Sequence, residues 1–171
     1  TAVAVTPTKE THLHVRGELL TPLPDGGLWW SAKKTLVVSD LHLEKGSSFA
    51  ARGQMLPPYD TSETLAIIER LVRDLKPERV ISLGDSFHDR KAETRMVEGD
   101  AIRIRALSAQ TDWVWVEGNH DPDPPEHLGG RPSKVLRMGD IVFRHEPTGE
   151  SGEIAGHLHP CAKVQSKVRA L

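Results

Sequence analysis

The chain has 171 residues, with 22 lysines and arginines, 24 aspartates and glutamates, and a formal net charge of −2. A chain of this length can form one domain with a sizeable core. The near-neutral charge excludes a uniformly basic nucleic-acid-binding surface but leaves room for a local basic groove. The single cysteine, Cys161, excludes an internal disulfide and favours a reducing, cytoplasmic setting.

No apolar run approaches the ~20 residues that are needed to cross a membrane, so we expect no membrane association. The chain starts without methionine and ends at Leu171, soon after the last of the motifs described below. We therefore expect one domain over residues 1–171, and we leave open that a carboxyl-terminal segment is missing.

The first part of the chain predicts a hairpin. Residues 13–20 and Leu28-Trp29-Trp30 have the composition of strands, and the Asp25-Gly26-Gly27 turn signal lies between them. We expect this hairpin to cover an edge of the core, with both tryptophans used for packing. The next strand is predicted at residues 36–38.

A first helix is predicted to begin at Asp60 and to end before Pro77, because proline cannot continue a helix. Glu69 and Arg73 are four residues apart and are expected to lie on its solvent-exposed face. Its buried face follows helical spacing and consists of Leu65, Ile68, Val72 and Leu75.

A second helix is predicted within residues 92–109. Its arginines Arg95, Arg103 and Arg105 are expected to face solvent, and a role in substrate binding stays open, best for Arg95. Its apolar stripe consists of Val97, Ala101, Ile104 and Leu107.

The prolines and glycines of residues 121–132 predict a loop. Strands are then predicted at residues 80–83, 114–116, 134–138, 141–144, 154–155 and 163–168, and the pattern favours two packed sheets flanked by helices.

Polar residues follow five of the apolar runs, always at the carboxyl end of the run. The five polar segments are Asp-Leu-His at 40–42, Gly-Asp-Ser-Phe-His-Asp at 84–89, Gly-Asn-His-Asp at 118–121, His at 145 and Gly-His-Leu-His at 156–159. Open α/β sheets form their ligand sites at the carboxyl ends of strands. We therefore expect these segments to meet in one site.

Carboxylates, imidazoles and an amide suit divalent ions such as Mn, Fe or Zn. Asp40 and His42 alternate on one short segment, so both can face one ion, and His157 and His159 have the same spacing. Asp85 has two oxygens and can bridge two ions. Two ions ~3.5–4 Å apart can hold a phosphoryl group and lower the pKa of a bound water, and a nearby histidine can protonate the leaving oxygen.

In order and spacing, the five segments resemble the motifs of the calcineurin-like metallophosphoesterases. The resemblance implies a four-layer α/β fold, in which a central two-sheet β-sandwich is flanked by helices. It implies one metal held by Asp40, His42, Asp85 and His159, and a second held by Asp85, Asn119, His145 and His157. It also implies that a metal-activated hydroxide attacks phosphorus while His120, which is not a ligand, protonates the leaving oxygen.

One position departs from the phosphatases of this family. Many of them have aspartate three residues after the bridging aspartate, whereas this chain has His88 followed by Asp89. The segment at 84–89 is instead similar to the double-strand-break-repair nucleases, in which the corresponding histidine assists cleavage of nucleic acid. The residue that orients His120 stays open between Asp89 and Asp121.

Residues 39–49, 56–60 and 84–89 are also similar to the bacterial ligase-associated DNA damage response endonucleases, the PdeM family. This similarity implies a DNA endonuclease and phosphodiesterase in bacterial DNA repair, in association with a DNA ligase and a helicase. It implies two divalent metal ions. Manganese is the expected metal, and Zn, Fe, Ni and Mg are alternatives. The residues expected to line the DNA path are Lys45, Arg52 and Arg90.

Two other functions stay open from the sequence. One is a phosphatase or cyclic-nucleotide phosphodiesterase that acts on small substrates, because a fold does not select its substrate. The other is a non-catalytic scaffold with this fold, although every expected ligand position is filled and His120 is present. The sequence predicts no oligomeric state.

Overall fold

The computed structural model describes residues 12–24, 26–39, 60–84, 98–117 and 128–156. The larger described sheet has the strand order β1 to β7. Its strands are β1 (Leu13–Val15), β2 (Glu18–Pro22), β3 (Leu28–Trp30), β4 (Thr35–Ser39), β5 (Arg79–Leu83), β6 (Asp112–Val116) and β7 (Arg131–Ser133). A smaller sheet, in the order β10-β9-β8, consists of β8 (Leu136–Met138), β9 (Ile141–Arg144) and β10 (Glu153–Ala155). The described helices are α1 (Asp60–Leu75) and α2 (Glu98–Gln110).

The central strands of the larger sheet are buried on both faces. Strands β4 to β7 run parallel to one another, and successive side chains point to opposite faces. One face packs against α1 and α2 through residues that include Leu36, Val80 and Trp115. The other face packs against the smaller sheet through residues that include Val37, Ile81, Val114, Ile141 and Phe143.

This arrangement confirms the predicted α/β sandwich of two packed sheets with helices outside. Continuous apolar runs are typical of parallel strands covered on both faces, and β4, β5 and β6 all have this pattern. Both described helices lie on the same face of the larger sheet.

The amino-terminal segment differs from the prediction of one strand over residues 13–20. Arg16 and Gly17 have φ values of 50° and 80°, and this left-handed pair forms a tight turn between β1 and β2. The prediction was wrong because an arginine gives no turn signal. The predicted hairpin of β2 with β3 is confirmed, and it extends the edge of the larger sheet beside β4.

Trp30 is a packing residue, as predicted. Its side chain is buried between the sheets, where its ring centroid lies 6.2 Å from that of Phe143. Its indole Nε1 donates a hydrogen bond of 3.1 Å to Glu18 Oε2 on β2. The hydrogen bond satisfies the buried indole N–H and joins the two strands of the edge hairpin, β2 and β3.

The predicted first helix is confirmed from Asp60, the first described residue of this segment, to Leu75. Leu65, Ile68 and Val72 are buried, and Leu75 is half-buried. One residue of its expected solvent-exposed face, Glu69, instead contacts the second helix. Glu69 accepts a hydrogen bond from Arg103 of α2, and Arg103 also donates to Ser62 Oγ at 3.0 Å. The two helices are therefore joined by an ion pair as well as by apolar packing.

The second helix begins at Glu98 among the described residues and ends at Gln110. Ala101, Ile104 and Leu107 are buried, as the periodicity predicted. The prediction that the arginines face solvent holds for Arg105, whose side chain is 38% exposed and pairs with the exposed Glu98. It is wrong for Arg103, whose side chain is 29% exposed because it pairs with Glu69 of α1. Arg95 lies outside the described residues. A sequence period locates a face of a helix but does not show which neighbouring carboxylates reach it.

The expected loop over residues 121–132 ends in a strand. Residues Arg131–Ser133 pair in parallel with β6, and Pro132 is tolerated because β7 is the last described strand of its sheet. The predicted hairpin of β8 and β9 is confirmed, while the predicted strand at 163–168 lies outside the described residues. Within the described ranges, neither helix is both long enough and apolar enough to cross a membrane.

An ion-pair network joins the amino ends of three parallel strands. Asp112 of β6 accepts hydrogen bonds from Arg79 Nε of β5 at 2.8 Å and from Arg131 Nε of β7 at 3.0 Å. The hydrogen bond from Arg131 is the largest influence on this carboxyl group, and together the two guanidinium groups lower the pKa of Asp112 to about 2. The network holds the strands at the end opposite to the polar segments.

Candidate metal centre

The parallel strands of the two sheets end at one common edge. In the larger sheet, Ser39 lies opposite Leu83 and Leu83 lies opposite Val116. In the smaller sheet, Ala155 of β10 lies opposite Arg144 of β9. The five polar segments follow these strands in the sequence, so the described chain reaches the start of each segment at this edge.

His145 joins the two sheets at this edge. Its side chain is buried, and its Nδ1 lies 3.3 Å from the carbonyl oxygen of Leu83 at the end of β5. A carbonyl oxygen can only accept a hydrogen bond, so Nδ1 must donate the proton. With the Nδ1 proton placed there, Nε2 is the ring nitrogen that can bind a metal, which is the tautomer that a backbone carbonyl favours in metal-binding histidines.

Gly84 provides the space that this imidazole occupies. A Cβ atom at position 84 would lie 2.5 Å from both Cγ and Nδ1 of His145, and the φ of Gly84 is +57°. Both the close approach and the left-handed backbone favour glycine. The sequence identified Gly84 only as part of a Gly-Asp motif, and its contact with His145 had no sequence signal.

The last two polar segments are joined by the backbone. The Gly156 N–H donates to the carbonyl oxygen of His145 at 3.2 Å, directly after the parallel pairing of β9 with β10. Gly156 is buried. The segment that begins Gly156-His157 therefore leaves its strand beside His145.

Of the predicted site residues, the structure describes His145 and places it at the common edge. The others lie outside the described residues, namely Asp40, His42, Lys45, Arg52, Asp85, His88, Arg90, Asn119, His120, His157 and His159. In the part of the chain that the structure describes, no three histidine, cysteine, aspartate or glutamate side chains form a group that could hold a metal. The ligand set, including the role of His145, therefore stays a prediction.

A cavity of about 490 Å³ opens beside the same edge. Its described lining includes Ser39, Leu83 and Ala155 at the strand ends, together with Ile67 and Leu71 of α1. The wall that the helix contributes is apolar except for Thr64. The common edge thus has an apolar surface next to the start of the polar segments.

Comparison with known proteins agrees with this geometry. The family model for calcineurin-like phosphoesterases matches residues 33–166, which include all five polar segments. The chain belongs to the calcineurin-like phosphoesterases. The sequence resemblance is confirmed, and the protein is a metal-dependent phosphoesterase, a hydrolase.

A solved structure is similar over most of the chain. The crystal structure of Pseudomonas putida nuclease MPE has 29% sequence identity and a TM-score of 0.71, over 89% of this chain and 74% of that chain. No curated protein matches the chain.

Calcineurin-like phosphoesterases generally use two divalent metal ions. The described part of this chain fits such a centre, because His145 is buried, its Nδ1 proton is held by Leu83, and the strand ends converge. The aspartate, histidine and asparagine donors of the five segments are also suited to such ions.

Proposed function

We propose that this phosphoesterase is a DNA endonuclease and phosphodiesterase that uses two divalent ions. The observation that supports this most is the 29% identity with a nuclease over 89% of the chain. The segment with His88, at a position where many phosphatases of the family have aspartate, favours the same conclusion.

We assign the metal ligands by the motifs of the family. One ion is held by Asp40, His42, Asp85 and His159, and the other by Asp85, Asn119, His145 and His157. When bound, the two ions would lower the pKa of a water molecule and neutralise charge on the phosphate. Manganese is the proposed metal, with Zn, Fe, Ni and Mg as alternatives.

The side chain proposed to move a proton is His120. A DNA phosphodiester has a poor leaving group, because the departing sugar oxygen must be protonated. His120 follows β6 by four residues in the sequence and is adjacent to the ligand Asn119. General acid catalysis of this kind contributes on the order of 10²–10⁴-fold to the rate.

We assign contacts with DNA to His88 and to three basic residues, Lys45, Arg52 and Arg90. An imidazole at position 88 can donate a hydrogen bond to a non-bridging phosphate oxygen or can help to position the deoxyribose. Many arginines of the described part are already paired with carboxylates, including Arg79, Arg103, Arg105, Arg131, Arg137 and Arg144. Their charge is largely compensated, so the phosphate backbone must be met by other basic residues.

The proposed setting is the bacterial cytoplasm, in DNA repair together with a DNA ligase and a helicase. This proposal rests on the similarity of three sequence segments to the ligase-associated endonucleases. We expect little sequence preference, because contacts with phosphates give position and affinity but do not read bases.

The test compares two substrates with the same metal-loaded protein. With Mn²⁺, we expect the full chain to nick supercoiled plasmid DNA and to hydrolyse bis-p-nitrophenyl phosphate. Rising salt should weaken the reaction on DNA, since binding through phosphates releases counterions. Hydrolysis of p-nitrophenyl phosphate with DNA left intact under every metal would reject the nuclease and support a small-molecule phosphatase.

A further inference from the structure

The connection between β9 and β10, taken together with β10, lies between two proposed metal ligands in the sequence. It starts at His145, directly after β9, and β10 is followed by Gly156 and the proposed ligand His157. The register of β10 against β9 decides which residue lies beside His145. A slip of one residue would turn every side chain of β10 to the opposite face.

Glu153, the first residue of β10, holds this connection in place. Its Oε1 accepts a hydrogen bond from the Thr148 N–H at 2.9 Å, and its Oε2 accepts one from the Thr148 hydroxyl at 2.7 Å. Its Oε2 also lies 3.2 Å from Arg144 Nε, at the end of β9. The Glu153 side chain is 7% exposed and that of Arg144 is 15% exposed, so the ion pair is largely shielded from solvent.

One carboxylate thus contacts the last residue of β9 and the middle of the connection, while its own backbone pairs in β10. Glu153 lies opposite Val142, and the Val142 N–H donates to the carbonyl oxygen of the preceding residue, Gly152, at 2.9 Å. The turn is tightly packed at Gly152, where an added Cβ would lie 2.8 Å from Arg16 Cγ. Several independent contacts therefore fix the register at Glu153.

We propose that Glu153 is a positioning residue for the part of the metal centre that contains His145 and His157. The proposal rests on the ligand assignment in the proposed function. Glu153 acts through the backbone: it fixes the connection, the connection fixes the register of β10, and the register places Gly156 beside His145. No sequence signal indicated this role, because Glu153 lies outside the five polar segments.

Glu150 provides a matched control in the same connection. Its carboxylate pairs with Arg144 Nη2 at 2.6 Å and with Arg137 Nη1 at 3.2 Å, and its side chain is 39% exposed. The two glutamates share Arg144 as a partner. They differ in that Glu153 also accepts hydrogen bonds from the Thr148 backbone N–H and hydroxyl.

The experiment measures Mn²⁺ binding to the full chain by titration calorimetry, with electron paramagnetic resonance of the bound ions, below the melting temperature of each variant. Glu153→Ala should weaken binding of the ion at His145 by about 10-fold and reduce the exchange coupling between the two ions. Thr148→Val should weaken it by about 3-fold, because one of the hydrogen bonds to Glu153 is lost. Thr148→Ser and Glu150→Gln should bind Mn²⁺ as the wild type does.

His145→Ala separates the ligand assignment from the role of Glu153. If His145→Ala keeps both ions, the ligand assignment fails and the role of Glu153 fails with it, whereas the nuclease activity itself is tested separately by the cleavage of plasmid DNA. If His145→Ala loses an ion while folded Glu153→Ala and Thr148→Val bind Mn²⁺ as the wild type does, the role of Glu153 is rejected and the metal centre stands. If Glu153→Ala does not fold, the difference between Thr148→Val and Thr148→Ser decides, and equal binding by those two overturns the proposal.

Discussion

Gly84 and His145 are in direct contact across the two sheets, and the contact leaves no space for a Cβ atom at position 84. The glycine directly follows β5, and the histidine directly follows β9. A residue of the Gly-Asp segment therefore determines where the imidazole of another segment can lie. This relationship connects the larger sheet to the smaller sheet at the candidate metal centre.

Gly84→Ala should displace His145 and weaken metal binding. Gly139→Ala is the matched control, because Gly139 has a φ of +60° but no atom of the described residues lies within 4 Å of where its Cβ would be. Both changes should lower the free energy of unfolding by about 1–2 kcal/mol, because alanine is strained in a left-handed backbone. Gly84→Ala should lower it by about 2 kcal/mol more, because the added Cβ overpacks against His145. Thermal unfolding and Mn²⁺ titration measure both effects, and equal behaviour of the two variants would show that the contact with His145 is unimportant.

A second prediction concerns the ion-pair network at the opposite ends of the strands. Because the folded pKa of Asp112 is about 2, below its ordinary 3.8, the carboxylate stabilises the fold above pH 3.8. This contribution should be lost as the pH falls from 3.8 towards 2. The Asp112 side chain is 38% exposed, so solvent screens its ion pairs. We therefore expect this carboxylate to contribute about 1 kcal/mol to the free energy of unfolding.

Denaturant unfolding of Asp112→Asn at several pH values measures this contribution. The variant should be less stable than the wild type at pH 7, and the difference should shrink towards pH 2. Asp74→Asn is the control, because Asp74 is 59% exposed and pairs with its neighbour Arg73. A pH-independent difference for Asp112→Asn would contradict the electrostatic explanation.

A third prediction concerns the proposed general acid. His120→Ala should keep its metal ions but lose rate on the order of 10²–10⁴-fold on a substrate with a poor leaving group. The loss should be smaller for p-nitrophenyl esters, because p-nitrophenolate leaves with little protonation. Rates for a series of diesters with different leaving groups provide the measurement, and an equal loss across the series would exclude the role.

A fourth prediction separates DNA from small substrates. His88→Ala should reduce cleavage of plasmid DNA more than hydrolysis of bis-p-nitrophenyl phosphate. The reason is that His88 is proposed to contact the sugar-phosphate chain and is not proposed as a metal ligand. The ratio of the two rates, compared between variant and wild type, is the quantity to measure. A parallel fall in both rates would assign His88 to the chemical step instead.

The sequence predicted the central part of the fold because its signals there are strong. The apolar runs of β4, β5 and β6 are buried on both faces, and each is followed by polar residues at the same edge. The short strands were harder to predict from the sequence. Strand β7 contains Pro132, which normally argues against a strand, and the turn at Arg16 depends on a left-handed backbone that arginine seldom adopts.

The sequence predicts the candidate site from its motifs, and His145 is the predicted site residue that the structure describes. His145 was expected at the site and lies at the common edge, whereas the contact with Gly84 and the hydrogen bond to the carbonyl of Leu83 depend on how two sheets pack. Glu153 was missed for the same reason. Its proposed role depends on a contact with Thr148 in the connection that precedes it, and no spacing in the sequence indicates that contact.

The decisive measurement is the number of metal ions per chain in wild type and in Asp85→Ala, determined by elemental analysis after loading with Mn²⁺ and removal of free metal. The wild type should approach two ions per chain, since five segments start at one edge and Asp85 is proposed to bridge both ions. Asp85→Ala should lose both while staying folded by circular dichroism. A folded wild type that holds one ion under saturating Mn²⁺, with Asp85→Ala unchanged, would contradict the two-metal centre.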